Sequence, residues 1–344
     1  MNFDLLKLVR PNVLKLKPYS SARDDFKGSA SIFLDANENP FPREYNRYPD
    51  PHQYKLKERI GELKKIKAEQ IFLGNGSDEA IDLLFRAFCE PGVDNVLIPQ
   101  PTYGMYAVSA DINAVQIISG KLTNDFDLDL DAIKNQWNQN TKLIFLCSPN
   151  NPSGNLLSVD KIKNIVENFS GLIIVDEAYI DFTSYDGFVP LLNEYPNLVI
   201  LQTLSKAWGL ANIRLGMCFA STDVIAILNK IKPPYNINGV TQQIALKILQ
   251  QVELKNKWVE ELIKEREHLR LEFLKIPSVK KVYPSDANFL LVQINDAKKI
   301  YQQLIVKGIV LRDRSNIILC EDCLRITVGT PMENKELLLQ LNQL

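Results

Sequence analysis

The stretch LIIVDEAY, residues 172–179, decides the fold that we predict for this chain. Its first four residues are apolar without polar alternation, which is typical of a short strand covered by helices on both faces. Six similar runs alternate with polar loops and helix-like stretches, and they occupy residues 71–73, 95–98, 115–118, 143–147, 198–201 and 217–220. This alternation predicts an α/β fold with a doubly wound sheet, in which crossover helices join parallel strands.

The character of the sequence changes after about residue 240. Residues 241–276 have the pattern of long helices, and strands are predicted at 288–292, 309–312 and 324–328. A smaller α+β domain is therefore expected beside the large one. We expect residues 45–255 to form the large domain, and residues 1–44 together with 256–344 to form the small one.

Charge and composition exclude several classes of protein. The 344 residues include 40 basic and 41 acidic side chains, so the net charge of −1 gives no field that would attract nucleic acid or anionic lipid. No apolar run approaches the roughly 18 residues of a membrane span, and no signal peptide is recognised. We expect a cytoplasmic protein that acts on small molecules, with no nucleic-acid or membrane partner.

The five cysteines indicate reduced thiols and no disulfide framework, because their number is odd and three of them lie among apolar neighbours. Cys320 and Cys323 form the one C-x-x-C pair. A structural zinc site normally needs a second pair or histidines, and the two histidines of the chain, His52 and His268, are distant in sequence. No metal site is predicted.

Polar residues follow four of the predicted strands, at the ends where ligands bind in open α/β sheets. After the first strand, residues 74–79 (GNGSDE) lead into a helical stretch. Free N–H groups at a helix start, reached through glycines, suit a phosphate. Glu79 replaces the third glycine of a dinucleotide fingerprint and no Gly-Lys-Ser/Thr follows, which disfavours nicotinamide and P-loop sites. Alone, this turn would be read as an ordinary capped connection.

The second and third strand ends supply an amide and a carboxylate. Residues 148–154 (SPNNPSG) form a rigid turn whose asparagine side chains could donate to a phenolate oxygen, although ordinary turn chemistry explains them equally well. Asp176 stands at the tip of a buried strand, where a carboxylate is costly unless a cation or strong donor pairs with it. A pyridinium N–H would be such a partner.

The fourth strand end places Lys206 among Leu204, Ala207 and Trp208. Desolvation and a neighbouring cation would lower the pKa of this lysine and free its amine as a nucleophile. Ser205 and Arg214 could hold a phosphate beside it. Together the four ends supply a Schiff-base amine, a partner for a ring nitrogen, donors for a phenolate and a phosphate cradle, which predicts a pyridoxal phosphate site.

Eight motifs occur in the order expected for one family, and they span nearly the whole chain. They are residues 34–40 (LDANENP), 47–50 (RYPD), 74–79 (GNGSDE), 101–106 (PTYGMY), 148–154 (SPNNPSG), 176–179 (DEAY), 205–206 (SK) with Arg214, and 324–329 (LRITVG). On these motifs the chain resembles the fold-type I, pyridoxal-phosphate-dependent aminotransferases, and within them it is similar to the histidinol-phosphate aminotransferases. The resemblance implies a mostly parallel seven-stranded sheet in the large domain.

The resemblance also implies roles for the matching residues. Lys206 would carry the cofactor as a Schiff base and shuttle a proton, with Asp176 and Tyr179 as the other catalytic residues. The cofactor would be bound at its phosphate by Ser77, Asp78, Glu79, Ser205 and Arg214, at its ring nitrogen by Asp176, at its ring oxygen by Asn151 and Tyr179, and on its ring face by Tyr103. Tyr48 would reach the phosphate of the partner subunit's cofactor, which implies a homodimer.

Four further residues are assigned to the substrate on the same resemblance. Arg325 corresponds to the family's carboxylate-binding arginine, Arg312 and Tyr19 to positions linked with the anionic end of the substrate, and Asn37 to a further substrate-binding position. Without the resemblance, Arg312 and Arg314 would be interpreted as solvated charges.

The reaction that the resemblance implies belongs to histidine biosynthesis. It interconverts histidinol phosphate plus 2-oxoglutarate with imidazole-acetol phosphate plus glutamate, in two half-reactions with ping-pong kinetics. Threonine-phosphate decarboxylases and aromatic amino acid aminotransferases share the fold and many of the motifs, and the sequence does not rank their substrates. A regulatory protein with an added DNA-binding domain is disfavoured, because only about 30 residues precede the first motif and the charge is not basic.

Overall fold

A seven-stranded sheet forms the centre of the large part of the molecule in the computed structural model, which describes residues 3–19, 26, 28, 30–41 and 43–344. Its strands are β1 (Ile71–Asn75), β2 (Asn95–Leu97), β3 (Gln116–Ile118), β4 (Thr141–Cys147), β5 (Leu172–Asp176), β6 (Leu198–Thr203) and β7 (Leu215–Ala220). They lie in the order β1-β7-β6-β5-β4-β2-β3. Strand β7 is antiparallel to both neighbours and the other neighbouring pairs are parallel. The predicted mostly parallel sheet is confirmed.

The central strands are buried because their alternate residues enter two different hydrophobic cores. In β5, Ile173 and Val175 belong to one core, while Leu172 and Ile174 belong to the core on the opposite face. Burying an aliphatic side chain of this size contributes about 1.5–3 kcal/mol. The helices on the two faces are α3 (Tyr54–Lys64), α4 (Ser77–Phe88), α5 (Met105–Ile112), α6 (Leu130–Gln136), α7 (Val159–Asn168), α8 (Thr222–Ile231) and α9 (Gly239–Ile248).

A second sheet of four antiparallel strands forms the smaller lobe. Its strands are β8 (Val279–Val282), β9 (Phe289–Ile294), β10 (Arg312–Asp313) and β11 (Cys323–Thr327), and its helices are α10 (Val252–Phe273), α11 (Ala297–Val306) and α12 (Pro331–Leu341). The predictions at 288–292 and 324–328 match β9 and β11, whereas the one at 309–312 overlaps β10 only at Arg312. Strand β8 is not predicted, because exposed lysines interrupt it at the sheet edge. The proposed boundary at residues 255–256 falls in the first turn of α10. No helix in the described ranges combines the length and apolar composition of a membrane span.

The first helices, α1 (Leu5–Leu8) and α2 (Pro11–Lys15), pack on the large sheet's helical layer. Val9 and Val13 enter its core, and the Arg10 backbone N–H donates to the Ala87 carbonyl at 2.9 Å. For these residues the structure differs from the predicted placement of 1–44 in the small domain. The reason is that Val9 and Val13, four residues apart, make a short apolar stripe that the intervening Arg-Pro-Asn hides in the sequence.

Gly216→Ala should destabilise the protein, because β7 passes directly against the start of α4 at this position. A Cβ on Gly216 would overlap backbone atoms of Gly76 and Ser77, which cannot move as a side chain can. We expect a loss of at least ~1–3 kcal/mol in the free energy of unfolding, measured by urea denaturation. Gly104→Ala is the control, since its Cβ would meet no atom within 4 Å. Equal stability of the two variants would contradict the close approach.

Candidate active site

A cavity lies beyond the carboxyl ends of β4, β5 and β6, beside the start of α4. Its walls are formed by Gly76, Ser77, Asp78, Tyr103, Cys147, Asn151, Asp176, Ala178, Tyr179, Thr203, Ser205, Lys206 and Arg214. Every residue predicted to hold the cofactor is among them, apart from Glu79 and Tyr48. The parallel strands explain this convergence, because their carboxyl ends meet at one edge of the sheet.

Asp176 is the last residue of β5 and is almost fully buried. The Tyr106 hydroxyl donates to its Oδ2 at 2.6 Å, and the Ala178 N–H donates to its Oδ1 at 3.1 Å. Burial raises the pKa of Asp176 to about 6, while these two donors oppose the rise. The side chain is therefore mostly a carboxylate at neutral pH, and it presents a negative charge to the cavity.

Lys206 lies in the loop after β6, with its Nζ 5.4 Å from the centre of the Tyr179 ring. Burial and then the positive charge of Arg325 lower the pKa of Lys206, although the charge of Asp176 opposes them. A lowered pKa increases the fraction of neutral amine, which is the nucleophilic form.

The start of α4 and the Arg214 side chain form a cradle for an anion. The Arg214 Nη2 lies 3.3 Å from Asp78 Oδ2, and the Gly76 N–H donates to the Arg214 carbonyl at 2.7 Å. Gly76 has a φ of 73°, and a Cβ there would meet the Arg214 guanidinium at 2.5 Å. A helix start next to a guanidinium and the Ser205 hydroxyl is a donor set that fits a phosphate group.

Glu79 and Tyr48 lie outside the cavity. The Glu79 carboxylate accepts from the Asn75 N–H at 2.6 Å and from Asn236 Nδ2 at 3.2 Å, so it fixes the turn between β1 and α4. Tyr48 is half exposed and its ring stacks on Tyr235 at 4.6 Å. The cofactor contacts of these two residues stay predictions.

Arg325 connects the small sheet to the cavity. Its Nη1 donates to Asn151 Oδ1 at 2.6 Å, and its guanidinium lies over the Phe289 ring at 5.3 Å. Arg312 is exposed and stands opposite Arg325 in the pairing of β10 with β11. Burial lowers the pKa of Arg325, and the charge of Arg312 lowers it further. Arg325 and Arg312 therefore form a cationic face beside the cavity, next to Asn151.

None of the four predicted substrate residues lines the cavity itself, and Tyr19 and Asn37 are exposed, as Arg312 is. The sequence reasoning in turn missed Tyr106 and Arg314. The Tyr106 ring is fully buried, and its position three residues after Tyr103 in the motif 101–106 was the available signal. Arg314 is partly buried, and its Nε has no hydrogen-bond partner among the described residues. Its pKa is lowered by burial and by the charge of Arg325, which places it close to the cationic face.

The cysteines of the C-x-x-C pair, Cys320 and Cys323, are buried free thiols. In the described ranges no group of three histidine, cysteine, aspartate or glutamate residues is arranged to hold a metal ion.

Comparisons with known proteins agree with this geometry. The profile of the family "Aminotransferase class I and II" matches residues 33–341. A histidinol-phosphate aminotransferase from Cytophaga hutchinsonii is 57% identical over 342 residues, which cover 98% of both chains. The solved structure of the histidinol-phosphate aminotransferase from Clostridium acetobutylicum has a TM-score of 0.79 at 27% identity, covering 86% of this chain and 90% of that one.

A second solved structure shows how widely the fold is shared. The L-threonine-O-3-phosphate decarboxylase from Porphyromonas gingivalis has a TM-score of 0.75 at 22% identity, covering 86% of this chain and 90% of that one. This likeness concerns the fold alone. The sequence match over residues 33–341 and the high identity to the Cytophaga protein decide the relationship: the chain belongs to the class I and II aminotransferases, in the group of the histidinol-phosphate aminotransferases.

Proposed function

We propose that the chain transfers an amino group from histidinol phosphate to 2-oxoglutarate, forming imidazole-acetol phosphate and glutamate, with pyridoxal phosphate in the cavity. The observation that carries this proposal is the meeting of Lys206, Asp176 and the phosphate cradle around one cavity. The substrate is inferred from the name of the relative that is 57% identical.

The residues of the cavity fit the cofactor group by group. Arg214, Ser205 and the start of α4 at Ser77 would hold its phosphate, with the backbone N–H groups of Asp78 and Glu79. Asn151 and Tyr179 would contact its ring oxygen, Tyr103 its ring face and Asp176 its ring nitrogen. When bound, pyridoxal phosphate supplies an electron sink for the bonds at the substrate Cα.

Lys206 would hold the cofactor through its amine and would move the proton at the substrate Cα. Its amine is held near Tyr179, and its lowered pKa allows Nζ to accept a proton from the substrate Cα and release it again. Asp176 keeps a negative charge in the cavity, and Arg325 gives a positive charge for the anionic group of each substrate, the phosphate of histidinol phosphate or a carboxylate of glutamate. Tyr179 and Phe289, whose rings pack edge to face at 5.1 Å, exclude water from this side.

The anionic end of the substrate would be bound by Arg312 with Arg325, and Tyr19 and Asn37 would join them when substrate is present. A homodimer is part of the proposal. Tyr48 does not line the cavity of its own chain, and we propose that it contacts the cofactor phosphate of the partner subunit. A cytoplasmic location is supported by five cysteines that are all free thiols.

Two other reactions of the same fold compete with this proposal. A threonine-phosphate decarboxylase would release carbon dioxide, and an aromatic aminotransferase would accept phenylalanine or tyrosine as the amino donor. Both are disfavoured by the name and the 57% identity of the Cytophaga relative, whereas the decarboxylase shares the fold at 22% identity.

Lys206→Ala should abolish covalent attachment of the cofactor and turnover together, since no other amine lines the cavity among the described residues. The measurement is borohydride reduction of the protein with pyridoxal phosphate, followed by mass spectrometry of the peptide that contains residue 206. Lys264→Ala, on the exposed face of α10, is the matched control and should label fully. Retained turnover in Lys206→Ala would disprove the assignment.

A panel of amino donors should show the highest kcat/KM for histidinol phosphate, about tenfold or more above phenylalanine and tyrosine. The reason is that Arg312 and Arg325 together suit a dianionic phosphate. Arg312→Gln should lower this preference, while Arg86→Gln, which alters an exposed ion pair with Asp82, should keep it. Carbon dioxide from L-threonine O-3-phosphate would favour the decarboxylase, and an unchanged preference in Arg312→Gln would remove that arginine from the site.

Mixed dimers should show that Tyr48 acts on the partner's cavity. Alone, the Lys206→Ala subunit should be inactive and the Tyr48→Phe subunit weakly active, but a mixed dimer of the two should regain up to about half of the wild-type activity. One of the two cavities then has both groups intact. The measurement is activity after co-expression with two affinity tags and purification of the mixed dimer. Activity no higher than that of the Tyr48→Phe homodimer would place Tyr48 outside the partner's site.

A further inference from the structure

Tyr106, on α5, is a large side chain that is fully buried although it carries a polar hydroxyl group. Its ring stacks on Phe145 at 4.8 Å, and Phe145 stacks on Phe85 at 5.4 Å. The ring position is therefore fixed by packing. Its hydroxyl leaves this apolar stack on one side and donates to Asp176 Oδ2 at 2.6 Å.

A phenylalanine would fill the same space without a polar atom, so the hydroxyl needs its own explanation. A buried hydroxyl is unfavourable unless it is hydrogen-bonded, and this one has Asp176 as its acceptor. Burial, and then the charge of Asp176, raise the pKa of Tyr106 far above its usual range. The phenol therefore keeps its proton at physiological pH and acts as a donor toward Asp176.

The surroundings of Asp176 show what this donor does. Both oxygens of Asp176 accept a hydrogen bond, Oδ2 from the Tyr106 hydroxyl and Oδ1 from the Ala178 N–H. These two bonds fix the orientation of the carboxylate. Among the influences on the pKa of Asp176, the hydrogen bond from Tyr106 is the strongest that opposes the effect of burial. The groups that face Asp176 are Tyr106 on α5, Cys147 on β4, Ala178 and Tyr179 after β5, Lys206 after β6, Tyr103 before α5, and Asp78 on α4.

We propose that Tyr106 is a positioning residue for the reaction: its hydroxyl orients the Asp176 carboxylate and stabilises it as an anion. This rests on the proposed function, in which Asp176 pairs with the ring nitrogen of pyridoxal phosphate. A carboxylate can keep that nitrogen protonated, whereas a neutral carboxylic acid cannot do so by charge. The effect of Tyr106 on the cofactor therefore passes entirely through Asp176.

The first test uses the protein without cofactor. The Asp176 carboxyl stretch is followed by infrared difference titration and is assigned by its absence in Asp176→Asn. In Tyr106→Phe the titration midpoint should move to higher pH than in the unsubstituted protein, because the carboxylate loses a donor. Tyr301→Phe, on α11 of the small lobe, is the matched control and should leave the midpoint unchanged. An unchanged midpoint in Tyr106→Phe would reduce Tyr106 to a packing residue.

The second test measures the affinity for pyridoxal phosphate by equilibrium dialysis. Tyr106→Phe should weaken binding about tenfold or more, and the pH dependence of the bound cofactor's absorbance should shift as well. In the Asp176→Asn background the same substitution should have no further effect on affinity. An equal loss in both backgrounds would show that Tyr106 does not act through Asp176.

These readouts separate the proposal from the proposed function. If the infrared midpoint shifts but borohydride does not attach the cofactor to Lys206, the influence of Tyr106 on Asp176 stands and the cofactor assignment fails.

If Tyr106→Phe lowers the thermal midpoint strongly, incorporation of a fluorinated tyrosine provides the second variant. It keeps the ring and the hydroxyl, and it should shift the Asp176 titration without unfolding; no shift would overturn the proposal.

Discussion

The burial of one negative charge at the tip of β5 is the constraint on which the rest of the structure depends. Removing a carboxylate from water costs several kcal/mol unless donors or cations compensate for it. Asp176 follows four apolar residues that pack into cores on both faces of the sheet. The charged end of β5 is therefore buried, and the neighbouring elements must supply hydrogen-bond donors or cations for it.

Those partners come from different parts of the chain. Tyr106 reaches Asp176 from the helix between β2 and β3, and Ala178 reaches it from the loop that follows β5. Lys206 follows the next strand of the sheet. Because each partner is fixed by its own packing, the charges are arranged before any ligand binds. Preorganised charge of this kind is what an enzyme uses to stabilise charge that develops during a reaction.

Much of this could be predicted from the sequence, and the reasons differ between regions. The seven strands were predictable because each contains a short, mostly apolar run. The residues at their ends were predictable because parallel strands bring those ends together. Strand β8 was not, since an edge strand with exposed lysines lacks the pattern. The packing of Val9 and Val13 on the large sheet depends on a tertiary partner that local sequence does not encode.

Individual site residues show the same limit. Tyr106 looks like a core aromatic until its hydroxyl is seen to face a carboxylate, and Arg314 looks like a solvated charge until its Nε is seen to be buried. The roles of both residues depend on their distance in space from residues that are far away in the sequence. Lys206 was recognised because its apolar neighbours are local in sequence.

The hydrogen bond from Arg325 to Asn151 links the residues proposed to bind the substrate to those proposed to bind the cofactor. A side-chain amide has one oxygen and one NH₂ group. Because the Asn151 oxygen accepts from Arg325 at 2.6 Å, the NH₂ end is the one left for an oxygen atom in the cavity. The arginine that would bind the anionic group of the substrate thus also sets which end of the amide would face the cofactor. Asn151 therefore joins the residue expected to bind the substrate to the cavity expected to bind the cofactor.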